Sequence, residues 1–281
     1  MVDRADYETT LDPDRTTHLG IRRDEHDDLT REFFAWDVPE LPTAVIEAME
    51  ASLRDDVQGV NLDNLDGLLR PGYLPIETGI ASCDNGEGSV AVWTAWPGTT
   101  PEMIDWWFGW HMARTERYKL WHPQAHAFAQ PRYDLSSVEG LTDRERYVGN
   151  TSWVDEYIGP ALGRLAISFH DPAEIGLDQA TLDAADYGTV VYATVADSDE
   201  GRHLAYLIHA VRRTDGGSEM RSRFIFPPGV AGVVGPAMID HCYTEMTHLA
   251  GFLPHLHARV TAARDENRRA PRTGGRWGSA T

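Results

Sequence analysis

The sequence predicts an α+β protein: a mostly antiparallel sheet curved around one long C-terminal helix. Three observations carry that prediction. Strand-forming runs succeed one another between residues 76 and 226, joined by connections rich in Gly, Asn and Asp. One helical pattern, opening at Pro101, stands between the second and third of these runs. A much longer one fills residues 236–263. Strands, a middle helix and a long final helix make an α+β arrangement rather than a strict βα alternation. A sheet gripping the final helix leaves a cavity between them, suited to a small hydrophobic ligand.

Each element has its own signal. Residues 1–35 are polar, highly charged and without periodicity, the pattern of an extended or loosely packed arm. Residues 42–53 read as an amphipathic helix with Val45, Ile46 and Met49 on one side, and Pro42 in the first turn, where a missing N–H costs nothing. Residues 61–72, ending Arg70-Pro71-Gly72, read as a loop. This gives an N-terminal arm and small helical region over 1–75, a main domain over 76–263 and a flexible Arg-rich tail over 264–281. Residues 76–83 and 89–96 form two strands around an Asp-Asn-Gly-Glu-Gly turn. The helix that follows has Thr100 as N-cap and Pro101 at its first position. Further strands are expected at 146–154, 165–170, 189–195, 203–213 and 219–226. Thr214-Asp215-Gly216-Gly217 joins the last two. Pro254 should kink or interrupt the final helix.

Bulk properties narrow the function. At 281 residues and 42% hydrophobic content the chain has a real core, and its nine Trp residues either fill that core or line an apolar pocket. A net charge of −19 argues against nucleic acid or an anionic membrane as partner, since both would be repelled. Cys83 and Cys242 are far apart and form no CxxC, so no disulfide framework is expected. The first residues lack an apolar segment of signal-peptide type, and no run approaches the ~18 apolar residues of a membrane span. A soluble, cytoplasmic protein is the expectation.

The sharpest local feature is His241-Cys242-Tyr243-Thr244-Glu245. On a helix, residues i and i+4 share a face, so His241 and Glu245 converge, with His248 further along and Cys242 turned away. Imidazole and carboxylate are both metal ligands, although a His–Glu pair at this spacing is equally a common surface ion pair. His122 and His126 have the same spacing, but Pro123 between them opposes a regular helix, so one of them at most points into a site. Glu156 follows a strand ending near Val154, where a carboxylate is either a ligand or simply solvated. His209 lies inside an apolar strand on the face of Leu207 and Val211, either as a hydrogen-bonded core residue or as an inward-facing base.

Together these segments resemble a known family. Trp106-Trp107-Phe108-Gly109-Trp110-His111, then Arg117-Tyr118-Lys119-Leu120-Trp121-His122-Pro123 with His126, then Met220-Arg221-Ser222-Arg223-Phe224 and the His241/Glu245 helix, resemble the 2,4-diacetylphloroglucinol hydrolase and phloretin hydrolase family over residues 60–255. Its members are zinc-dependent hydrolases of carbon–carbon bonds with a helix-grip fold of the Bet v 1 type. The resemblance implies zinc held by His126, Glu156, His241 and Glu245, a catalytic His209, and a Tyr118 that hydrogen-bonds a substrate oxygen. It also implies a homodimer with contacts from the N-terminal region. Asp155 lies beside Glu156, and a shift of one residue exchanges them.

Cleaving an aryl–acyl bond with water needs an activated carbonyl, a nucleophilic water and a stabilised carbon leaving group. Two neutral imidazoles and two carboxylates leave a divalent metal formally neutral and a modest Lewis acid, so a nearby base such as His209 is useful. Hydroxyls ortho and para to the acyl group let the ring carbon depart as an enolate-like centre. Trp107, Trp110 and Trp121 are expected to wall the aromatic substrate. Two other readings fit the same residues: a non-catalytic helix-grip carrier of a hydrophobic aromatic metabolite, and a non-haem iron enzyme.

Overall fold

The structure, a computed structural model, describes residues 27–269, with side chains through residue 266. One eight-stranded antiparallel sheet organises it: β1 (Gly79–Ser82), β2 (Gly88–Pro97), β3 (His126–Pro131), β4 (Thr151–Ile158), β5 (Ala161–His170), β6 (Tyr187–Asp197), β7 (His203–Thr214) and β8 (Gly217–Phe226). The order across the sheet is β1-β2-β8-β7-β6-β5-β4-β3. Six helices complete it: α1 (Thr43–Glu50), α2 (Asp66–Leu69), α3 (Pro101–His111), α4 (Thr115–Trp121), α5 (Gln179–Ala184) and α6 (Ala231–Arg269). A curved antiparallel sheet holding a long C-terminal helix is the helix-grip fold.

The grip follows from the pattern of α6. Ile239, Cys242, Met246, Leu249, Leu253, Leu256 and Val260 are buried at alternating steps of three and four, so one stripe of the helix faces the sheet. Pro254 does not interrupt it, and Pro236 lies inside the helix rather than near its start. Gly232, Val233, Val234 and Gly235 in its first turns are poor helix formers, but packing overrides that preference. A Cβ on Gly235 would stand 2.5 Å from Ile80 Cδ1, so glycine lets the helix seat against β1.

Strand alternation divides the sheet between two cores. Val191, Val211, Met220 and Phe224 face α6 in the main core. Their sequence neighbours Val190, Ala210 and Ile225, with Ile208, pack on the opposite face with Val60, Leu65, Leu68 and Leu182. That second layer corrects the expected loop at 61–72. Asn61 caps a short 3-10 turn, accepting from Asp63 N while its own N–H donates to Asn64 Oδ1, and Leu65 and Leu68 are buried just beyond. Glu77 pairs with Arg221 and Arg223 beneath the same cover, and both guanidiniums are fully buried.

Other elements differ in detail. Residues 1–26 and 270–281 lie outside the described part, as does most of the expected tail. The arm is not loose at its inner end: Arg31–Ala35 forms a 3-10 turn whose Phe33 packs on Phe252. In α1, Val45 is buried and Met49 packs on the core, while Ile46 faces out. Among the described residues no helix is long and apolar enough to cross a membrane. Cys83 and Cys242 are separate buried thiols.

Candidate metal centre

Pro123 sets the local geometry around His126. The residue before a proline is driven out of the helical region, and His122, at φ −135° and ψ 83°, ends α4. A turn follows in which Ala125 and His126 both donate to His122 O, and His126 opens β3. His126 pairs directly across the ladder with Glu156 of β4. Glu156 is therefore a strand-interior residue, not one beyond a strand end, and the expected strand at 146–154 begins five residues late. Residues 144–146 form a 3-10 turn instead, and Tyr147 anchors it by donating to Asp105. Across the cavity, α6 presents His241 and Glu245 one turn apart.

His126, Glu156 and His241 converge, and Glu245 stands beside the two imidazoles. His126 Nε2 and His241 Nε2 are 3.3 Å apart. Glu245 Oε2 lies 3.4 Å from the first and 3.9 Å from the second; Glu156 Oε2 lies at 3.5 and 3.8 Å. The other ring nitrogens fix the tautomers. His126 Nδ1 donates to Tyr118 O and His241 Nδ1 to Tyr157 O, each at 2.9 Å. A carbonyl only accepts, so each neutral ring carries its proton on Nδ1 and turns a lone pair inward at Nε2. Two nitrogen lone pairs then face the carboxylates of Glu156 and Glu245, with no imidazole hydrogen between them. Ligands ~2.0–2.2 Å from a tetrahedral zinc are about 3.3–3.6 Å from each other, close to the spacings here. The electrostatics agree with a cation. Burial, and then the Glu156 charge, push Glu245 well above the usual carboxylate range. Burial, reinforced by His241 and His122, holds His126 well below the imidazole range.

The alternatives left by the sequence separate here. Glu156 joins His126 and His241, while the fully buried Asp155 alternates to the other face of β4. His122 lies beside the group, its ring centroid 4.9 Å from His241, and lines a polar hollow of ≈ 200 Å³ behind it with Gln124, Asp240 and Thr244. His248 turns Nδ1 to Trp121 O and stays outside the cluster.

Tyr118 and His209 flank the cluster. The Tyr118 ring stacks on His126 with centroids 3.8 Å apart and planes 2° from parallel, and its hydroxyl donates to Glu156 Oε2. His209 is 1% exposed and held at Nδ1 by Ser222 Oγ, 2.8 Å away, which leaves Nε2 for a ligand. Burial pushes its pKa down to about 3. Sequence reasoning missed Ser222, although the signal was present: counting back from the turn pairing Thr214↔Gly217 brings His209 opposite Ser222.

An inner chamber of ≈ 50 Å³ meets Tyr118, Glu156, His209, His241 and Glu245. Its aromatic wall is Phe108, Trp121, Phe169 and Phe224. Trp107 and Trp110 are not part of it, contrary to expectation. Phe108 and His111 are the α3 residues that reach the chamber, and the two tryptophans lie beside them in the core, Trp107 against Phe252 and Trp110 against Trp106 and Arg117. Glu156, Ile167, Leu207, Phe224 and Met238 also line a larger chamber of ≈ 510 Å³ that continues outward.

Comparison with known proteins now bears on this geometry. Residues 60–258 match the family model described as the DAPG hydrolase PhiG domain. The chain belongs to the DAPG hydrolase family. Like the family it is an enzyme, a hydrolase. A 2,4-diacetylphloroglucinol hydrolase of Pseudomonas sp. is 30% identical over 230 residues, 72% of this chain and 78% of that one. One from Pseudomonas protegens is 29% identical over 72% of this chain and 75% of its own. A phloretin hydrolase of Eubacterium ramulus is 30% identical over 66% and 72%. All four residues of the cluster, with Tyr118 and His209, fall inside the matched segment of this DAPG hydrolase family member. Among solved structures, Ara h 8.0201 covers 60% of this chain and 98% of its own at 12% identity, with a TM-score of 0.38. The fold assignment stands on the strand order and α6.

Proposed function

We propose that this chain is a zinc-dependent hydrolase cleaving the carbon–carbon bond between an acyl group and a polyhydroxylated aromatic ring of the acylphloroglucinol kind, with release of a carboxylic acid. The observation that carries this is the convergence of two Nε2 lone pairs and two carboxylates at the wall of an aromatic-lined chamber. The names of the relatives support the substrate class.

His126, Glu156, His241 and Glu245 hold the metal, which when bound polarises an oxygen and makes water easier to deprotonate. The remaining steps belong to the protein's own groups. Phe108, Trp121 and Phe224 fix the plane of the ring and keep bulk water from it. His209, neutral at working pH, carries a proton at Nε2 from a ring hydroxyl to the ring carbon bearing the acyl group, giving the keto tautomer. Tyr118 turns its hydroxyl from Glu156 to a substrate oxygen and stabilises charge there. Water's oxygen bonds to the acyl carbon, the acyl–ring bond breaks, and its electron pair passes through the ring to the ortho oxygen, which takes up the proton that water gives up. The products are the carboxylic acid and the deacylated ring.

Metal analysis of the purified protein should give one zinc per chain. Chelation should abolish release of carboxylic acid from a panel of acylated polyphenols, followed by mass detection, and zinc should restore it. Restoration by iron alone points to the non-haem iron reading, and absence of stoichiometric metal to the carrier. A Glu245→Ala variant that keeps both metal and full activity sinks the assignment. The reading includes a cytoplasmic homodimer; light scattering that gives the mass of one chain removes the dimer.

A further inference from the structure

The chemistry at the metal residues leaves the larger of the two chambers unused. It measures ≈ 510 Å³ against ≈ 50 Å³ for the inner one, so most of any ligand that reaches the metal residues must lie in it. The walls change character at their junction. The inner chamber is aromatic and offers polar groups, Ser152, His111 and His209 among them. The outer one is aliphatic, built by Leu162, Leu165, Val195, Leu204, Val230 and Val234. Apart from Glu156 at the junction, its charged or titratable lining residues are Arg202 and His203, both exposed at the mouth.

We propose that the outer chamber binds an alkyl tail, and hence, resting on the hydrolase reading, that the substrate is a ring carrying a medium- or long-chain alkanoyl group. A hydroxylated ring needs hydrogen-bond partners, which the inner chamber offers and the outer one holds only at its junction and its mouth. The ring therefore lies at the inner end, against the metal residues, and the acyl tail points out. An acetyl group would leave nearly the whole outer chamber without contacts, and that chamber is within the roughly 300–1,000 Å³ that ligand pockets span.

Two series of compounds test this on the purified protein. In the first, monoacylphloroglucinols from acetyl through butanoyl and hexanoyl to octanoyl are assayed for kcat/KM. In the second, alkylphloroglucinols of matching length, which lack the carbonyl and cannot be cleaved, are titrated by calorimetry. Both kcat/KM and affinity should rise about fourfold per methylene until the chamber fills. Leu204→Trp should reduce the octanoyl-to-acetyl ratio of kcat/KM at least tenfold at unchanged zinc content. If that variant does not fold, the two series on the unmodified chain decide alone. Cleavage of the acetyl compound as fast as the octanoyl one overturns the inference and leaves the hydrolase reading intact. Affinity that ignores chain length overturns the inference as well. Affinity that rises with length while no acyl compound is cleaved keeps the alkyl chamber and overturns the hydrolase reading.

Discussion

His126 and His241 each tie Nδ1 to a backbone carbonyl, and Tyr118 holds two residues of the cluster at once, stacking on His126 and donating to Glu156. That double contact separates two roles for Tyr118. Tyr118→Phe keeps the stacked ring and removes only the hydroxyl. Zinc content should stay at one per chain while kcat falls on the order of 10²-fold with KM little changed. A hydroxyl that merely orients Glu156 would show in zinc affinity instead. His209→Asn retains a hydrogen-bonding group for Ser222 but cannot carry a proton. Its kcat should fall about 10²–10⁴-fold, and a loss of only a few-fold would return His209 to the core. Of this site, residue type and spacing point to the His241–Glu245 pair, and the other members come with the family resemblance. His241 and Glu245 follow from helical geometry, and Glu156 rather than Asp155 follows once β4 is placed, because alternation allows only one of them inward. Pairing across strands was the hidden part. That His126 faces Glu156 depends on the register of β3 and β4, which lie in sequence on either side of a 19-residue connection outside any strand.

Between α3 and the 3-10 turn at Arg144–Arg146 the backbones come close at Gly109, where an added Cβ would lie 2.5 Å from Asp143 O and 3.1 Å from Arg146 Cβ. This contact seats the helix that sends Phe108 and His111 to the chamber. Gly109→Ala removes a helix-destabilising glycine, worth up to ~1 kcal/mol in its favour, yet forces a backbone oxygen to move. The clash should win, with a net loss of about 1–3 kcal/mol read as a lower urea midpoint at unchanged slope. An alanine variant as stable as the parent means the turn gives way freely. The elements themselves were legible to different degrees. Long strands such as β7 and β8 and the stripe of α6 announce themselves by period. The edge strand β3 does not, because it is short, starts at a turn and ends in Pro131. The small helices over the outer sheet face escape for a related reason: their Asn, Asp and Gly content is turn chemistry, and only the buried Leu65 and Leu68 make them a packed layer.

The two-sided burial of the sheet encloses titratable groups that the unfolded chain would leave in water, so the whole molecule should sense acid. Burial pushes His111 down to about 4 and His209 to about 3. In the unfolded chain both return to roughly 6.5. As pH falls below that value the unfolded state takes up protons that the folded state refuses, so stability rises with pH in this window and drops on acidification. The slope should approach about 1.4 kcal/mol per pH unit for each histidine. The His111 contribution levels off near pH 4, once that ring begins to protonate in place, and the His209 contribution near pH 3. Glu77 adds a term of the same sign at lower pH. Burial opposes its charge, but the hydrogen bonds and charges of Arg221 and Arg223 still hold it below the ordinary carboxylate value. Its stabilisation is present above its unfolded value near 4.5 and is lost as pH falls further, so between about pH 6.5 and 4.5 the two histidines are separable from it. Urea titrations across that interval on chelated protein supply the wild-type slope, and the same titrations on His209→Asn and on His111→Gln each remove one titrating ring. Each variant should be less stable at neutral pH, from lost packing, yet its slope should be shallower by about 1.4 kcal/mol per pH unit. Slopes that coincide with the parent's mean the rings stay protonated or solvated in the folded protein. The sheet face toward α6 would then be less closed to water than the packing requires.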